Sequence, residues 1–209
     1  EARGAAAIGL GPPDARLPDF AAAMERMREI RARISHDDSA KRYREEFGIE
    51  IFFGSARFTG PRTVDVGGTT LRFASAVIAS GARAAAPAIP GLAEAGYLDN
   101  ETVFQLTERP RRLAVIGSGP IGCEMAQAFR RLGSEVSVVE MLPRVAPGLD
   151  GEVAKQFQRI LVKQGIAFKL DTKMLGVETD GKTCNVRIEP VNGGTQETLD
   201  CDVVLVCVG

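Results

Sequence analysis

The residues best placed to do chemistry lie between Leu113 and Glu140, LAVIGSGPIGCEMAQAFRRLGSEVSVVE. An apolar run, Leu113 to Ile116, breaks into Gly117-Ser118-Gly119-Pro120-Ile121-Gly122. A helix-like segment follows, and a second apolar run, Val136 to Val139, stops at an acid, Glu140. Glycines and a carboxylate in this order suit two nucleotides joined by a pyrophosphate. Gly117 permits a tight turn off the strand. Gly119 has no Cβ, so a pyrophosphate can reach the backbone, and Gly122 lets the helix pack closely on the strand. Free N–H groups at the helix start, backed by the positive end of the helix dipole, face the phosphates. Pro120 fits a first helical turn, where its missing N–H costs nothing. Glu140 lies eighteen residues beyond Gly122, near the spacing of about 20 at which an acid meets the adenosine ribose hydroxyls. It would also repel a 2′-phosphate, which favours NAD over NADP. The competing reading is a glycine turn in an ordinary α/β unit, with Glu140 a solvated strand-end charge.

These groups need elements to hold them. In the helix after the turn, Ile121, Met125, Phe129 and Leu132 recur at helical spacing and are expected in the core. Glu124 sits one turn in, either on the side of a bound cofactor or as an ordinary first-turn acid. Cys123 reads as a small packing residue. Asp150 caps a further helix, Gly151 to Lys163, with Val153, Phe157, Ile160 and Leu161 as its buried face. Ala167 to Leu170 is a third short strand. Leu175 to Thr179, Cys184 to Glu189 and Gln196 to Cys201 are β segments with turns at Asp180-Gly181 and Asn192-Gly193-Gly194. Val203 to Val208 is a fully apolar strand, as in a parallel sheet covered on both faces.

Upstream, residues 1 to 16 are an Ala-, Gly- and Pro-rich lead-in. Pro18-Asp19 opens a helix with Phe20, Met24, Met27, Ile30 and Ile34 in one apolar stripe, and Ala40 to Phe47 is a second helix. His36, beside Asp37 and Asp38, reads as a surface residue. Ile49 to Phe53, Ala56 to Phe58, Thr63 to Val66 and Thr70 to Phe73 form a small antiparallel meander, and Phe73 to Ser80 an apolar strand ending at Gly81. Residues 82 to 108 are the crossing into the next domain.

Composition bounds the rest. The chain has 209 residues, is 44% hydrophobic and 25% charged, and carries a net charge of −1. That balance gives no electrostatic case for nucleic acid or an anionic membrane. No apolar run approaches the roughly 18 residues a membrane helix needs, and no secretory signal is visible. The apolar strand directly before Gly209 suggests a piece of something longer. Cys123, Cys184, Cys201 and Cys207 make no CxxC or CxxxxC pair. Cys201 and Cys207, roughly 20 Å apart on one strand, are too distant for a disulfide. Lone thiols point to a reducing compartment, the cytoplasm or the mitochondrial matrix. With one histidine, no metal site is expected.

At this point residues 15 to 209 resemble the flavin-dependent pyridine nucleotide–disulfide oxidoreductases of class I. The resemblance rests on Ala79-Ser80-Gly81 followed by Ala88-Ile89-Pro90-Gly91, on GSGPIGCE, and on the terminal VVLVCVG. The front half, RISHDDSAKRYREEFGIEIFFGSARFTG and AGYLDNETVF, is similar to the mercuric-reductase-like branch. FQRILVKQGIAFKLDTKM and CDVVLVCVG are similar to dihydrolipoyl dehydrogenase. The resemblance implies an α/β fold: residues 1–108 as part of an FAD-binding domain with its linker, then residues 109–209 as a Rossmann-type NAD-binding domain, a parallel sheet with a β-meander. It implies FAD and NAD as cofactors. By position, Gly117, Ser118, Gly119, Pro120, Ile121, Gly122, Cys123 and Glu124 would hold the NAD pyrophosphate and border the nicotinamide. Glu140 would hold the ribose, Met174 would lie beside the adenosine, and Gly209 would give a backbone contact. For FAD, Ala56 matches a main-chain contact to the adenosine, and Ser80, Gly81 and Ala82 the loop near the diphosphate. Ser80 replaces the family's Thr and Ala82 its Ser.

The family's first glycine fingerprint, its Cys-x4-Cys pair and its His–Glu pair are not found in these residues, so none is assigned as catalytic. The intact protein would move electrons between a dithiol or disulfide, FAD and NAD(H), with a lipoyl-type or small-molecule substrate. It would act as a homodimer, which is doubtful for this stretch alone. Three readings stay open: a dihydrolipoyl-dehydrogenase-like enzyme, a mercuric-reductase-like one, and a non-catalytic nucleotide-binding module.

Overall fold

The computed structural model describes residues 18–85 and 87–208. The lead-in at 1–16 and the terminal Gly209 lie outside them. The chain is mixed α/β and divides into two units: residues up to Arg26 together with those from Ala84 onward, and Met27–Arg83. The crossing segment from Ala84, placed before a boundary at 108/109 from sequence, counts here with the larger unit.

Helix α1 (Phe20–Asp37) starts in the larger unit and runs into the smaller. Its stripe is buried only at the start. Phe20 and Met24 are inside, the Phe20 ring 6.0 Å from that of Phe129, while Ile30 and Ile34 are exposed. Ser39 caps α2 (Ala40–Phe47), its Oγ accepting from the Arg42 N–H at 3.2 Å. Three strands follow as an antiparallel meander, β1 (Ala56–Gly60), β2 (Thr63–Val66) and β3 (Thr69–Arg72). Two expected strands do not form. Residues 49–53 and 73–80 are irregular, with Val77 91% and Ile78 76% exposed. A strand exists through its ladder to a neighbour, and among the described residues no strand pairs with either segment. A β-rich composition does not replace that partner. His36 is exposed, 3.8 Å from Asp37, as expected.

The larger unit holds α3 (Leu92–Ala95), β4 (Arg112–Ile116), α4 (Pro120–Arg131), β5 (Glu135–Val139), α5 (Gly151–Lys163) and β6 (Ala167–Lys169). It continues as β7 (Thr172–Thr179), β8 (Cys184–Pro190), β9 (Glu197–Cys201) and β10 (Val203–Val206). Four strands form a parallel sheet in the order β10-β4-β5-β6. Read from the β6 edge this is third, second, first, fourth: a doubly wound order that reverses between β4 and β10. Strands β7 to β9 form an antiparallel meander between β6 and β10. Ala114, Ile116, Val139, Val204 and Val206 of the parallel sheet share one buried cluster with Val177, Val186 and Ile188 of the meander. Leu113, Val115 and Val138 alternate to the other face and are at most 1% exposed, with α4 packed on β4 and β5. Both faces are covered, which is why these strands are apolar throughout.

Two helix faces differ from expectation. Helix α5 buries Ala154 and Leu161, while Val153 and Ile160 are exposed. Helix α4 buries Gly122, Cys123, Ala126 and Phe129, while Ile121 is 44% exposed. In α4 the missing Cβ of Gly122 draws the helix onto the turn, and burial rotates to its side. At the Ala88-Ile89-Pro90-Gly91 turn, Gly91 has φ +76°, and a Cβ there would meet the Val177 carbonyl oxygen at 1.9 Å.

Asp202 latches the near end of the parallel sheet. Its carboxylate accepts from the Arg111 and Arg112 N–H groups at 2.8 and 3.0 Å and from the Arg112 guanidinium at 3.2 Å. Burial pushes this carboxyl up, but those bonds together outweigh it and hold it below the usual carboxylate range. A folded value below the unfolded one gives stability that is present above about pH 4 and is lost as pH falls through the folded value. Asp202→Asn is expected to cost about 1–2 kcal/mol at pH 7 and to flatten the acid side of the stability profile. Parallel acid profiles for the two proteins would show that the latch contributes nothing.

Candidate functional site

The glycine turn sits where the sheet reverses. Beyond β4 and β10 the chains stay paired, the Cys207 N–H donating to the Ile116 carbonyl at 2.8 Å. Gly117 turns there at φ +99°, and a Cβ on it would meet the Cys207 carbonyl oxygen at 2.7 Å. A Cβ on Gly122 would meet the Gly117 carbonyl oxygen at 2.1 Å. Gly119 differs from both. Its φ is −64°, which any residue adopts, and a Cβ on it would meet nothing within 4 Å. The fold requires the first and third glycines to be bare. The second is bare toward open space.

That space lies at the start of α4. Helices α2 and α5 are capped by side chains, Ser39 in one and Asp150 in the other. Helix α4 has Gly119 at its cap, no side-chain bond there, and Pro120 within its first turn. Its leading N–H groups therefore have no acceptor from a capping side chain, and the helix dipole adds positive potential at the same end. This is the arrangement that receives an anion. Pro120, Ile121 and Glu124 are exposed around it, and Cys123 is buried.

Glu140 is only 9% exposed. Its Oε2 accepts from the Ser118 N–H and Oγ–H, both at 2.8 Å, and its Oε1 accepts from the Leu142 N–H at 2.9 Å. The Ser118 carbonyl in turn accepts from the Ala146 N–H at 2.9 Å and the Cys123 thiol at 3.2 Å. The carboxylate thus ties down the glycine turn. It has about four acceptor positions, three of them used, which leaves room for a hydroxyl. A cleft of about 190 Å³ opens beside it, lined by Ile89, Gly117, Glu140, Met141, Met174 and Val208 among others. Its wall is apolar with one carboxylate at the edge, a combination that suits an aromatic base and a sugar.

The structure therefore brings Gly117, Ser118, Gly119, Gly122, Glu140 and Met174 together. Ile89 and Met141 also line the cleft, and the sequence reading did not assign them. Ile89 lies in a turn distant in sequence, which spacing cannot link to the site. Met141 adjoins the acid, and that adjacency was the available signal. Ala56 begins β1, and Ser80, Gly81 and Ala82 lie in irregular chain of the smaller unit. All four are exposed and do not by themselves enclose a ligand. Gly209 lies outside the described residues. Burial pushes the thiols of Cys123 and Cys207 up to about 11 and that of Cys201 up to about 12. They are poor nucleophiles at neutral pH. Among the described residues no cluster of His, Cys, Asp or Glu is arranged to hold a metal ion, and no helix is long and apolar enough to cross a membrane.

A parallel sheet of this order, with a glycine turn at its reversal point, defines a doubly wound α/β fold of the Rossmann type. Comparison with known proteins carries this to a family. The pyridine nucleotide-disulphide oxidoreductase model matches residues 11–209, and the chain belongs to that family. It is 42% identical over 163 residues to leghemoglobin reductase of Vigna unguiculata, an alignment covering 75% of this chain and 31% of that protein. It is 39% identical to mitochondrial dihydrolipoyl dehydrogenase 2 of Arabidopsis thaliana, covering 75% and 32%. To mercuric reductase of Staphylococcus aureus it is 37% identical over 165 residues, covering 79% and 30%. The chain thus spans about a third of the length of these curated relatives. Among solved structures, the HOCl-induced flavoprotein disulfide reductase RclA from Escherichia coli superposes with a TM-score of 0.74 at 26% identity, over 91% of this chain and 42% of that one. A ferredoxin reductase from Rhodopseudomonas palustris superposes with a TM-score of 0.66 at 27% identity, over 82% and 44%. The family and the flavoprotein RclA imply FAD and NAD(P) as cofactors.

Proposed function

We propose that this chain is part of a flavin-dependent oxidoreductase of the dihydrolipoyl dehydrogenase type, which moves electrons between a dithiol or disulfide, FAD and NAD(H). Residues 109–209 are the NAD-binding domain, and residues 1–108 are part of the FAD-binding domain. The observation that carries the reading is the open space at Gly119, at the start of α4 and next in sequence to Ser118, which Glu140 holds. FAD and NAD supply the hydride and electron chemistry when bound. This chain's own residues bind and orient. The Gly119 backbone and the leading α4 N–H groups receive the pyrophosphate, Glu140 accepts from the ribose hydroxyls, and Met174 and Ile89 cover the base. Glu124, on the exposed side of α4, borders the nicotinamide. The intact protein takes a lipoyl-type or small-molecule dithiol and works as a homodimer.

Glu140 separates this reading from a mercuric-reductase-like one. A 2′-phosphate a few ångströms from a carboxylate costs about 1–4 kcal/mol at the dielectrics of a protein surface. NADH is therefore expected to bind the chain roughly tenfold more tightly than NADPH or better, as read by titration of cofactor fluorescence. A preference for NADPH would transfer the assignment to the mercuric-reductase-like reading. Binding of neither would remove the NAD site.

A further inference from the structure

Cys184 opens β8 and Cys201 closes β9, and the two are direct partners across the antiparallel ladder. Opposed residues in such a ladder have Cα atoms about 4.5 or 5.5 Å apart and side chains on the same face. Both separations fall in the range of about 4.4–6.8 Å that a disulfide accepts. Their Cβ atoms need to close by roughly 1 Å to reach bonding geometry. The thiols are free, 5% and 2% exposed, and belong to the cluster joining the meander to the parallel sheet. Neither lines the nucleotide cleft. Among the described residues β9 pairs only with β8, and an outer strand with one partner opens most readily.

We infer that Cys184 and Cys201 form a thiol–disulfide couple whose oxidant is a low-molecular-weight disulfide. When β9 frays, one protein thiol loses its proton to solvent, and its thiolate attacks a sulfur of the small disulfide. That S–S bond breaks, one small thiolate leaves and takes up a proton, and a mixed disulfide remains. As the strand re-pairs, the opposite thiol loses its proton, and its thiolate attacks the protein sulfur of the mixed disulfide and expels the second small thiol. The protein gives up two protons and two electrons, and the oxidant accepts both and becomes two thiols. The new bond ties the outer strand of the meander down beside the Asp202 latch. The couple is independent of the nucleotide reading.

The test treats the full chain with cystamine, with and without urea below the unfolding transition. Two of the four thiols are expected to disappear. Non-reducing digestion should yield one Cys184–Cys201 link, with fragmentation between Cys201 and Cys207 fixing its position. The melting temperature should rise and return with dithiothreitol. Cys207→Ala should keep the link. Cys184→Ala and Cys201→Ala, each checked for folding by circular dichroism, should leave the remaining partner as a cysteamine adduct. A link to Cys207 or Cys123, stable adducts in place of a link in the unsubstituted chain, or four free thiols in both conditions would overturn the proposal.

Discussion

Gly119→Ala is expected to weaken NADH binding by about tenfold or more in a chain that remains folded. The added methyl meets no protein atom within 4 Å, and the backbone there is already in an ordinary conformation. Alanine is a poorer cap than glycine, but it restricts the unfolded chain more, so the melting free energy should move by less than about 1 kcal/mol. The methyl instead occupies the space assigned to the pyrophosphate. Losing even one charge-assisted hydrogen bond there costs about 1.5–3 kcal/mol, so affinity should fall by about tenfold or more. Gly122→Ala is the companion experiment. Its methyl would lie 2.1 Å from a backbone oxygen, so the turn itself must move, and a stability loss of about 1–3 kcal/mol or more is expected. Calorimetry and fluorescence titration together separate the two variants. If Gly119→Ala binds NADH as well as the original chain, the open space is not a phosphate site.

Glu140 should lose in two properties at once. Glu140→Gln keeps the side chain's size but turns one acceptor oxygen into a donor, which leaves either the buried Ser118 donors or the partly buried Leu142 N–H unmatched. A loss of about 1–3 kcal/mol in stability is expected, together with weaker NADH binding. Glu140→Arg removes every acceptor but places a cation where a 2′-phosphate would lie. It should melt at least as low as Glu140→Gln and alone should shift the preference toward NADPH. Equal melting temperatures for all three proteins would show that the bonds to Ser118 and Leu142 do not hold the turn. An unchanged cofactor preference in Glu140→Arg would take the residue out of the ribose site.

Much of this was legible in the sequence because it is local. Helix α2 and helix α5 carry their own caps and periodicity, and the glycine turn carries its own spacing. The site reading from Gly117 to Glu140 needed only one strand, one helix and the next strand. What escaped depends on neighbours. The run from Phe73 to Ser80 has the composition of a strand and no partner in the described structure to make it one. The apolar stripe of α5 is wider than the face its neighbours cover, so Val153 and Ile160 stay outside. Glu140 was read as facing a ligand, whereas its first task is to hold Ser118, a bond that depends on the exact shape of the turn. Cys184 and Cys201 read as lone thiols because the turn at Asn192-Gly193-Gly194 admits registers one residue apart, and only one of them sets the two cysteines opposite each other.

The pairing of β4 with β10 has a consequence for how the molecule comes into being. The backbone oxygen that walls the glycine turn belongs to Cys207, ninety positions after Gly117. A ribosome exposes the turn, its helix and Glu140 long before it delivers that wall. Until then β4 has β5 on one side and an unpaired edge on the other. Contacts this distant in sequence close late and slowly, so the glycine turn takes its final shape only after the chain through Cys207 has been made. A nascent chain stalled short of β10 would present an exposed apolar strand edge, the kind of surface that chaperones cover and that drives aggregation.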